Sequence, residues 1–518
     1  MQKLMKRIKN NSYSSLIMFG YCLLLATLFL LICSKSSPLY PFNDWTDANI
    51  SFSMGKTLMN GKVMYKELFN QRGAYFYLIY GVGYLISQTS FLGVYILEVV
   101  SFSIFLFFCS KIIALYLDKS YLALALPLLA GLVLNLNAFA HGGSPEEFAL
   151  PFLACSLYYL LRYFREVYPK RMPDSWIFIN GIFAGCVVWI KYSFLGFWVG
   201  WIASIMLTLL IQKDVKKVLK SAGLFLLGMV TAAIPWLIYF GLNNAIYDWI
   251  QSYVIINITG YSQPMSLIDR VKFIFYVLYE FRYRPMVVGL MGLGLFIFLT
   301  VKKYSKTAIE KIGIALSFIL LLITVYGGGQ ARKYYFVIFA PLFIFGIIVL
   351  LGLYNDAYGP IKSKKVLSAI AVLIIIGSLS LVYLTNQNVY MMKIDKEDLV
   401  QYKYAEIINE TENATLLNYG FLDSGFFTTT GIVPSTRFAH QPNFDYSRYP
   451  EIRDEQNRYI REAITDYVVY PIRVQDYGGA ITIPNLIPHL TENYEFIRDD
   501  IQEYEGVEYR YLLFRKMN

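Results

Sequence analysis

Three acidic residues stand between two long apolar stretches near the start of the chain. Asp44, Asp47 and Glu67 lie within residues 41–73, directly after the first hydrophobic run. A carboxylate just outside a lipid layer can take the proton of a hydroxyl group, and so act as a general base toward a substrate carried by lipid. This segment is therefore the strongest candidate for a catalytic loop.

The composition is that of an integral membrane protein. Of the 518 residues, 56% are hydrophobic and 17% are aromatic, far more than a soluble fold needs. A membrane span takes about 20 apolar residues, and such runs follow one another almost continuously from residue 14 to residue 385. Residues 386–518 contain no comparable run. We therefore predict a transmembrane domain over 1–385 and one soluble domain over 386–518.

The basic residues predict the orientation. The net charge is +10, but the Lys and Arg residues form short clusters between hydrophobic runs, which indicates membrane topology rather than nucleic-acid binding. If residues 74–87 form an interfacial or re-entrant piece, every cluster lies on the side of the basic N-terminus. This predicts a multi-pass protein of the cell membrane with a cytoplasmic N-terminus, an extracytoplasmic C-terminal domain and eleven spans: 14–34, 92–114, 121–140, 146–164, 176–190, 193–211, 221–241, 285–301, 309–326, 334–353 and 366–385.

The same topology gathers further charged residues on the outer face. The predicted outer loops are 35–91, 141–148, 242–284 and 326–335. Glu146 and Glu147 lie in the second of these loops. Arg332 and Lys333 lie in the fourth, after three glycines that let the backbone approach a ligand closely. Acids and bases are therefore predicted to converge on one side of the membrane.

The C-terminal domain alternates helix-like and strand-like segments. Helices are predicted over 395–410 and 448–465, and strands over 414–420 and 466–472. The pattern favours an extracytoplasmic α/β domain.

The acidic loop also carries a motif. Its spacing is Asp47-x7-Gly55-x5-Gly61-x3-Tyr65-x-Glu67, followed by the Asn-Gln-Arg-Gly of residues 70–73. It resembles the first outer loop of the GT-C glycosyltransferases, the group of protein O-mannosyltransferases and aminoarabinose transferases. The Pro-Glu-Glu of residues 145–147 and the Arg-Lys-Tyr-Tyr of residues 332–335 are similar to motifs of the same group.

The resemblance implies a GT-C-like membrane domain of about eleven helices and an inverting glycosyltransferase. Its donor would be a sugar linked to polyprenyl phosphate, and its acceptor a lipid, a protein or a cell-surface polymer on the outer face. The implied base is Asp47, with Asp44 as the second choice, and Arg332 or Lys333 would hold the donor phosphate. Glu67, Arg72, Glu146 and Glu147 would bind substrate.

The chain departs from the family pattern at three places. Ala48 stands where a second acid is usual, Glu67 where Asp is usual, and Arg-Gly-Ala at residues 72–74 replaces Lys-Pro-Pro. The choice between Asp44 and Asp47 and the question of a metal ion therefore stay open, and no cofactor beyond the donor itself is predicted.

Each candidate residue also has an ordinary structural explanation. Asp47 could cap the helix that ends near Gly61, the two glutamates could favour a helix N-terminus, and the Arg-Lys pair could anchor the chain at the lipid interface.

The alternative functions are a polysaccharide polymerase or ligase, which would use the same lipid carrier, and a transporter of lipid-linked glycans. A transporter usually shows charges at the membrane midplane, broken helices in corresponding halves and internal repeats, and the spans lack nearly all of these features.

Overall fold

The computed structural model of the chain describes residues 2–361, 363–442, 444, 446–477, 489–504 and 506–517. Up to Thr385 the described chain is helical. The helices are α1 (Gln2–Cys33), α2 (Thr46–Met59), α3 (Ala74–Ile86), α4 (Leu92–Ile113), α5 (Leu122–Leu134), α6 (Pro145–Arg162), α7 (Asp174–Val188), α8 (Leu195–Ile211), α9 (Val215–Leu242), α10 (Ile246–Trp249), α11 (Leu267–Glu280), α12 (Gly294–Thr300), α13 (Ala308–Tyr326), α14 (Phe343–Tyr358) and α15 (Lys364–Thr385).

Each predicted span overlaps a helix, although residues 135–140 of the predicted span 121–140 lie beyond the end of α5. Among the described residues, seven helices are long and apolar enough to cross a membrane, and an eighth span results if the bent pair 267–283 and 287–300 counts as one. The predicted spans 121–140, 146–164 and 176–190 correspond to α5, α6 and α7, which are helices of 13, 18 and 15 residues. The chain is a multi-pass helical membrane protein, as its composition predicts.

The chain divides into two compact units. One consists of Met1–Ser34, Leu97–Pro235 and Gln263–Val389, and we call it the helical unit. The other consists of Lys35–Ile96, Trp236–Ser262 and Tyr390–Asn518, and we call it the loop unit. The acidic loop therefore belongs with the C-terminal segment, whereas the second and fourth predicted outer loops belong to the helical unit.

In the loop unit, glycines bring α2 and α3 into direct backbone contact. A Cβ added at Gly55 would lie 2.4 Å from the backbone nitrogen of Gly81, which real side chains do not tolerate. Gly61 has φ 78° and lies just beyond the end of α2 in the left-handed region. Two glycines of the family motif thus have physical reasons: one permits helix contact, and the other lets the chain turn after α2.

In the helical unit, small residues do the same for α8 and α13. A Cβ added at Gly200 would lie 2.5 Å from the backbone of Ser317. The buried indoles of Trp198 and Trp201 donate hydrogen bonds to the hydroxyl and the carbonyl oxygen of Ser156 on α6. These contacts fix the start of α8, and with it the turn that precedes this helix.

The C-terminal segment folds as an α/β domain around one sheet. Strands β1 (Leu416–Asn418), β2 (Tyr467–Arg473), β3 (Tyr494–Tyr504) and β4 (Val507–Lys516) are ordered β1-β2-β4-β3, with β1 parallel to β2 and the other pairs antiparallel. Helices α16 (Val400–Ile408), α17 (Phe426–Thr430), α18 (Pro450–Arg461) and α19 (Leu490–Asn493) complete it. The predicted helices and strands are all present, and the hairpin of β3 and β4 is an addition that the sequence patterns did not predict.

Candidate active site

Asp47 lies in the first turn of α2 and forms an ion pair with Arg72. The N-cap of this helix is Trp45, so Asp47 does not have the capping role considered above. Its Oδ2 lies 2.5 Å from Nη2 of Arg72, and the two side chains are 25% and 17% exposed. The carboxylate is therefore both held in place and open to an incoming group.

Arg72 is fixed from several directions. Its backbone N–H donates to the hydroxyl of Tyr77 at 2.9 Å, and its carbonyl accepts from the hydroxyl of Tyr65 at 2.6 Å. Its guanidinium also donates to Ser51 Oγ at 3.3 Å and lies over the ring of Phe76. Because these contacts orient the guanidinium, the Asp47 carboxylate has a defined position before any substrate binds.

Asp44 is the less accessible of the two aspartates. Its Oδ1 accepts a hydrogen bond at 2.7 Å from Lys35, whose side chain is buried. Asp44 and Lys35 form a pair enclosed in the loop unit, which suits a structural role. The geometry therefore favours Asp47 over Asp44 as a base, and both assignments remain predictions.

Glu67 is exposed and completes its own turn. One oxygen of the Glu67 carboxylate accepts a hydrogen bond from the backbone N–H of Val63 at 2.5 Å. The backbone N–H of Glu67 in turn donates to the carbonyl oxygen of Val63. The substrate-binding role expected for Glu67 has no geometric support from these contacts and stays a prediction.

A buried polar network fastens the other side of α2 to the C-terminal domain. The ammonium of Lys56 donates to the carbonyl oxygens of Phe427 and Ile432 at 2.6 and 3.3 Å. Ser53 donates to the buried carboxylate of Asp423 at 2.6 Å. Burial lowers the pKa of Lys56 to about 8 and raises the pKa of Asp423. The C-terminal domain thus helps to position the helix that carries Asp47.

In the helical unit, Glu146 forms a second ion pair. It lies in the first turn of α6, where Ser144 is the N-cap, and its side chain is 0% exposed. Glu146 Oε1 lies 2.5 Å from the ammonium of Lys191, which is 24% exposed and sits 3.5 Å from the ring centroid of Tyr335. This arrangement leaves an oriented cation at the turn before α8.

Glu147 faces a different, closed cluster. Its Oε2 accepts the backbone N–H of Gly143 at 2.8 Å, and its carboxyl group contacts that of Glu98, a buried residue of α4. The hydroxyl of Ser34 bridges both oxygens of Glu98 at 3.0 and 2.9 Å. The cluster is buried, so a direct substrate contact by Glu147 is not favoured.

Arg332 and Lys333 are exposed at the start of a 3₁₀ helix, Lys333–Leu342. Tyr335 in the same segment is the ring beneath Lys191. Lys191 contacts both Glu146 and Tyr335, so Glu146 lies close to the segment that begins with Arg332 and Lys333 in the helical unit. The roles of Arg332 and Lys333 in binding phosphate are still predictions.

The sequence analysis did not single out Lys191 as a site residue, although its position in the sequence is unusual. It is a lone cation between the predicted spans 176–190 and 193–211, on the side that otherwise lacks basic clusters. Cations that oppose the charge bias of a membrane protein need another reason, such as a partner or a ligand. Lys56 and Asp423 were missed because their hydrogen-bond partners, Phe427 and Ser53, lie 371 and 370 positions away in the sequence.

The candidate residues form no evident metal site. Among the residues that the structure describes, no group of three or more His, Cys, Asp and Glu side chains could hold an ion.

Comparisons with known proteins identify the family. The family model described as the competence-induced protein Ccs4 N-terminal domain matches residues 6–387. The chain belongs to this family. No curated protein sequence is similar to the chain at a significant level.

Solved structures with a similar fold come from ArnT of Cupriavidus metallidurans. The apo form superposes with a TM-score of 0.59, and the form bound to undecaprenyl phosphate with a TM-score of 0.57. Each is 11% identical, and each comparison covers 95% of this chain and 98% of the ArnT chain. ArnT, an aminoarabinose transferase, has the GT-C fold. The Ccs4 family member therefore has the GT-C glycosyltransferase fold, as its loop motif predicted.

Proposed function

We propose that the protein is an inverting glycosyltransferase that moves a sugar from a polyprenyl-phosphate donor to an acceptor hydroxyl at the outer face of the membrane. The observation that carries the proposal is the Asp47–Arg72 pair, a partly exposed carboxylate held rigidly in a chain with the GT-C fold. The ArnT structure with undecaprenyl phosphate supports a donor of this lipid class.

The reaction assigns one task to each charged group. Asp47 takes the proton of the acceptor hydroxyl, and the oxygen attacks the anomeric carbon of the donor sugar. The bond from that carbon to the phosphate oxygen breaks, and polyprenyl phosphate leaves with the bonding electrons. A general base of this kind contributes about 10² to 10⁴ in rate. Arg72 keeps the carboxylate aimed at the acceptor.

The leaving phosphate needs positive charge, and we assign that task to cations. Arg332 and Lys333 are exposed, and Lys191 is held in place by Glu146 and Tyr335. Fixed cations stabilise the negative charge that develops on a phosphate as it leaves. We assign donor binding to these three residues, and we place both sites on the outer face because the basic clusters predict that topology.

The direct test uses the full-length protein in proteoliposomes with a panel of polyprenyl-phosphate sugars. Release of polyprenyl phosphate, followed by mass spectrometry, is expected for at least one donor. Its absence for every donor, together with no retention of undecaprenyl phosphate by the purified protein, would contradict the proposal. Elongation of an added glycan by more than one sugar per chain would point instead to a polymerase.

A charge-matched pair of variants tests donor binding. Changing Arg332 and Lys333 to Gln should weaken undecaprenyl phosphate binding by roughly 10- to 100-fold, the scale of losing one charge-assisted hydrogen bond. Changing Lys302 and Lys306 to Gln removes the same charge from the loop between α12 and α13 and should leave binding unchanged. Equal effects in the two double variants would mean that only the overall charge matters.

A further inference from the structure

The helical unit contains a cavity beside the N-terminal end of α7 and the C-terminal end of α8, which are the ends of these two helices away from Lys191. Its volume is about 270 Å³. Lys191 follows the C-terminal end of α7 and precedes α8, whereas the cavity lies where α7 begins and α8 ends. It is therefore separate from the charged groups assigned to glycosyl transfer.

The lining of the cavity is amphipathic. Its apolar part is formed by Tyr163, Met172, Pro173, Ile177, Ile205 and Leu209. Its polar part is formed by Arg171, Asp174, Lys217 and Ser221. A molecule that fills this space must present an apolar portion to one wall and a polar portion to the other.

The charges at the polar wall do not cancel. Arg171 pairs with Asp214, and Lys220 pairs with Asp174. Each nearby aspartate is thus matched by one cation. Among the described residues, the ammonium of Lys217 has no ion pair or hydrogen bond, and it lines the cavity. The wall therefore offers one uncompensated positive charge beside a hydroxyl group.

Membrane topology alone explains part of this pattern. The charge bias favours Lys and Arg in the two loops before α7 and α9 whether or not anything binds there. It does not explain why one of these cations lines a cavity with an apolar wall. An unpaired ammonium over such a space complements a phosphate group that carries a hydrocarbon chain.

We propose that this cavity binds the phosphate headgroup of an anionic membrane phospholipid, with Lys217 and the hydroxyl of Ser221 as the phosphate ligands and the apolar wall against the upper part of the lipid chain. The apolar wall favours a lipid over a free phosphate ester, because a soluble phosphate would leave the apolar side chains without a partner. The site lies at the membrane end that the charge clusters predict to be cytoplasmic.

Lys216 provides a matched control for Lys217. It is the adjacent residue, it is exposed, and it does not line the cavity. Lys217→Gln and Lys216→Gln thus change the net charge equally. A third variant, Ile205→Trp, fills the apolar side of the cavity without changing any charge.

The experiment measures lipid retained by the full-length protein. Delipidated protein is exposed to equal amounts of phosphatidylglycerol and phosphatidylcholine and examined by native mass spectrometry. We expect selective retention of one phosphatidylglycerol, a loss of affinity of about tenfold in Lys217→Gln, and wild-type retention in Lys216→Gln. Ile205→Trp should reduce retention if it folds, and the lysine pair decides the question if it does not.

Two results would overturn the proposal. Equal losses in Lys216→Gln and Lys217→Gln would mean that the loops attract anionic lipid only through surface charge. A soluble competitor, glycerol 3-phosphate, separates the two possible sources of the phosphate. If it displaces the lipid at similar concentrations, the site recognises phosphate alone and the lipid assignment is wrong.

Discussion

Gly55→Ala should damage the proposed active site without touching the proposed catalytic base. The added Cβ would lie 2.4 Å from the backbone nitrogen of Gly81, whereas ordinary contact begins at 3.4 Å, so α2 and α3 must separate by about 1 Å. The atom that blocks it belongs to the backbone, so no side chain can turn away. Lys56 and Ser53 also hold α2 from its other side, against the C-terminal domain.

The shift bears directly on the ion pair. Asp47 is carried by α2, and Arg72 lies two residues before α3, so separating the helices moves the two partners apart. A misplacement of about 1 Å can lower the rate about 100-fold, and overpacking costs about 1–3 kcal/mol of stability. Gly55→Ala should therefore show both a slower transfer rate and faster hydrogen exchange in α2.

The control is Gly20→Ala, because a Cβ at Gly20 meets no atom within 4 Å. Alanine is the better helix former, so this variant should be as active and at least as stable as the wild type. Transfer at the wild-type rate in Gly55→Ala would refute the reasoning, since the helix contact would then not determine the position of Asp47.

Two further predictions concern buried charge. Burial lowers the pKa of His440 from 6.5 to about 4, so at a pH between these values the unfolded chain binds a proton that the folded chain excludes. The loop unit should therefore lose about 3 kcal/mol of stability as the pH falls from 6.5 to 4. His440→Phe should remove that loss in acid-unfolding measurements. Glu146→Gln should destabilise the helical unit by leaving the Lys191 ammonium unpaired, and combining it with Lys191→Met should recover about 0.5–3 kcal/mol in a double-mutant cycle followed by thermal unfolding. An acid slope that His440→Phe leaves unchanged, or strictly additive effects in the cycle, would contradict these two expectations.

The helices could be predicted because membrane spans are recognised from long uninterrupted runs of apolar residues. The GT-C fold could also be predicted, because the spacing of residues from Asp47 to Glu67 has physical causes. Gly55 permits the contact of α2 with α3, and Gly61 has the left-handed backbone that follows the helix.

The pairings of side chains could not be predicted in the same way. Lys56 and Phe427 meet across 371 positions of the sequence, and Glu146 and Lys191 across 45, so no local period reveals them. The hairpin of β3 and β4 was missed because β3 is an edge strand with mostly exposed or half-exposed side chains, and it lacks the alternating pattern of a half-buried strand. Tertiary contacts, rather than local propensity, decide both features.

The central claim is that Asp47 is the base, and Asp47→Asn tests it most directly. Asparagine keeps the shape of the side chain and an oxygen that can accept from Arg72, so the loop should stay folded and the donor should still bind. Transfer should fall by at least about 10², while Asp44→Asn should have a smaller effect. Near-normal turnover in Asp47→Asn beside an inactive Asp44→Asn would move the base to Asp44, and near-normal turnover in both variants would contradict the mechanism.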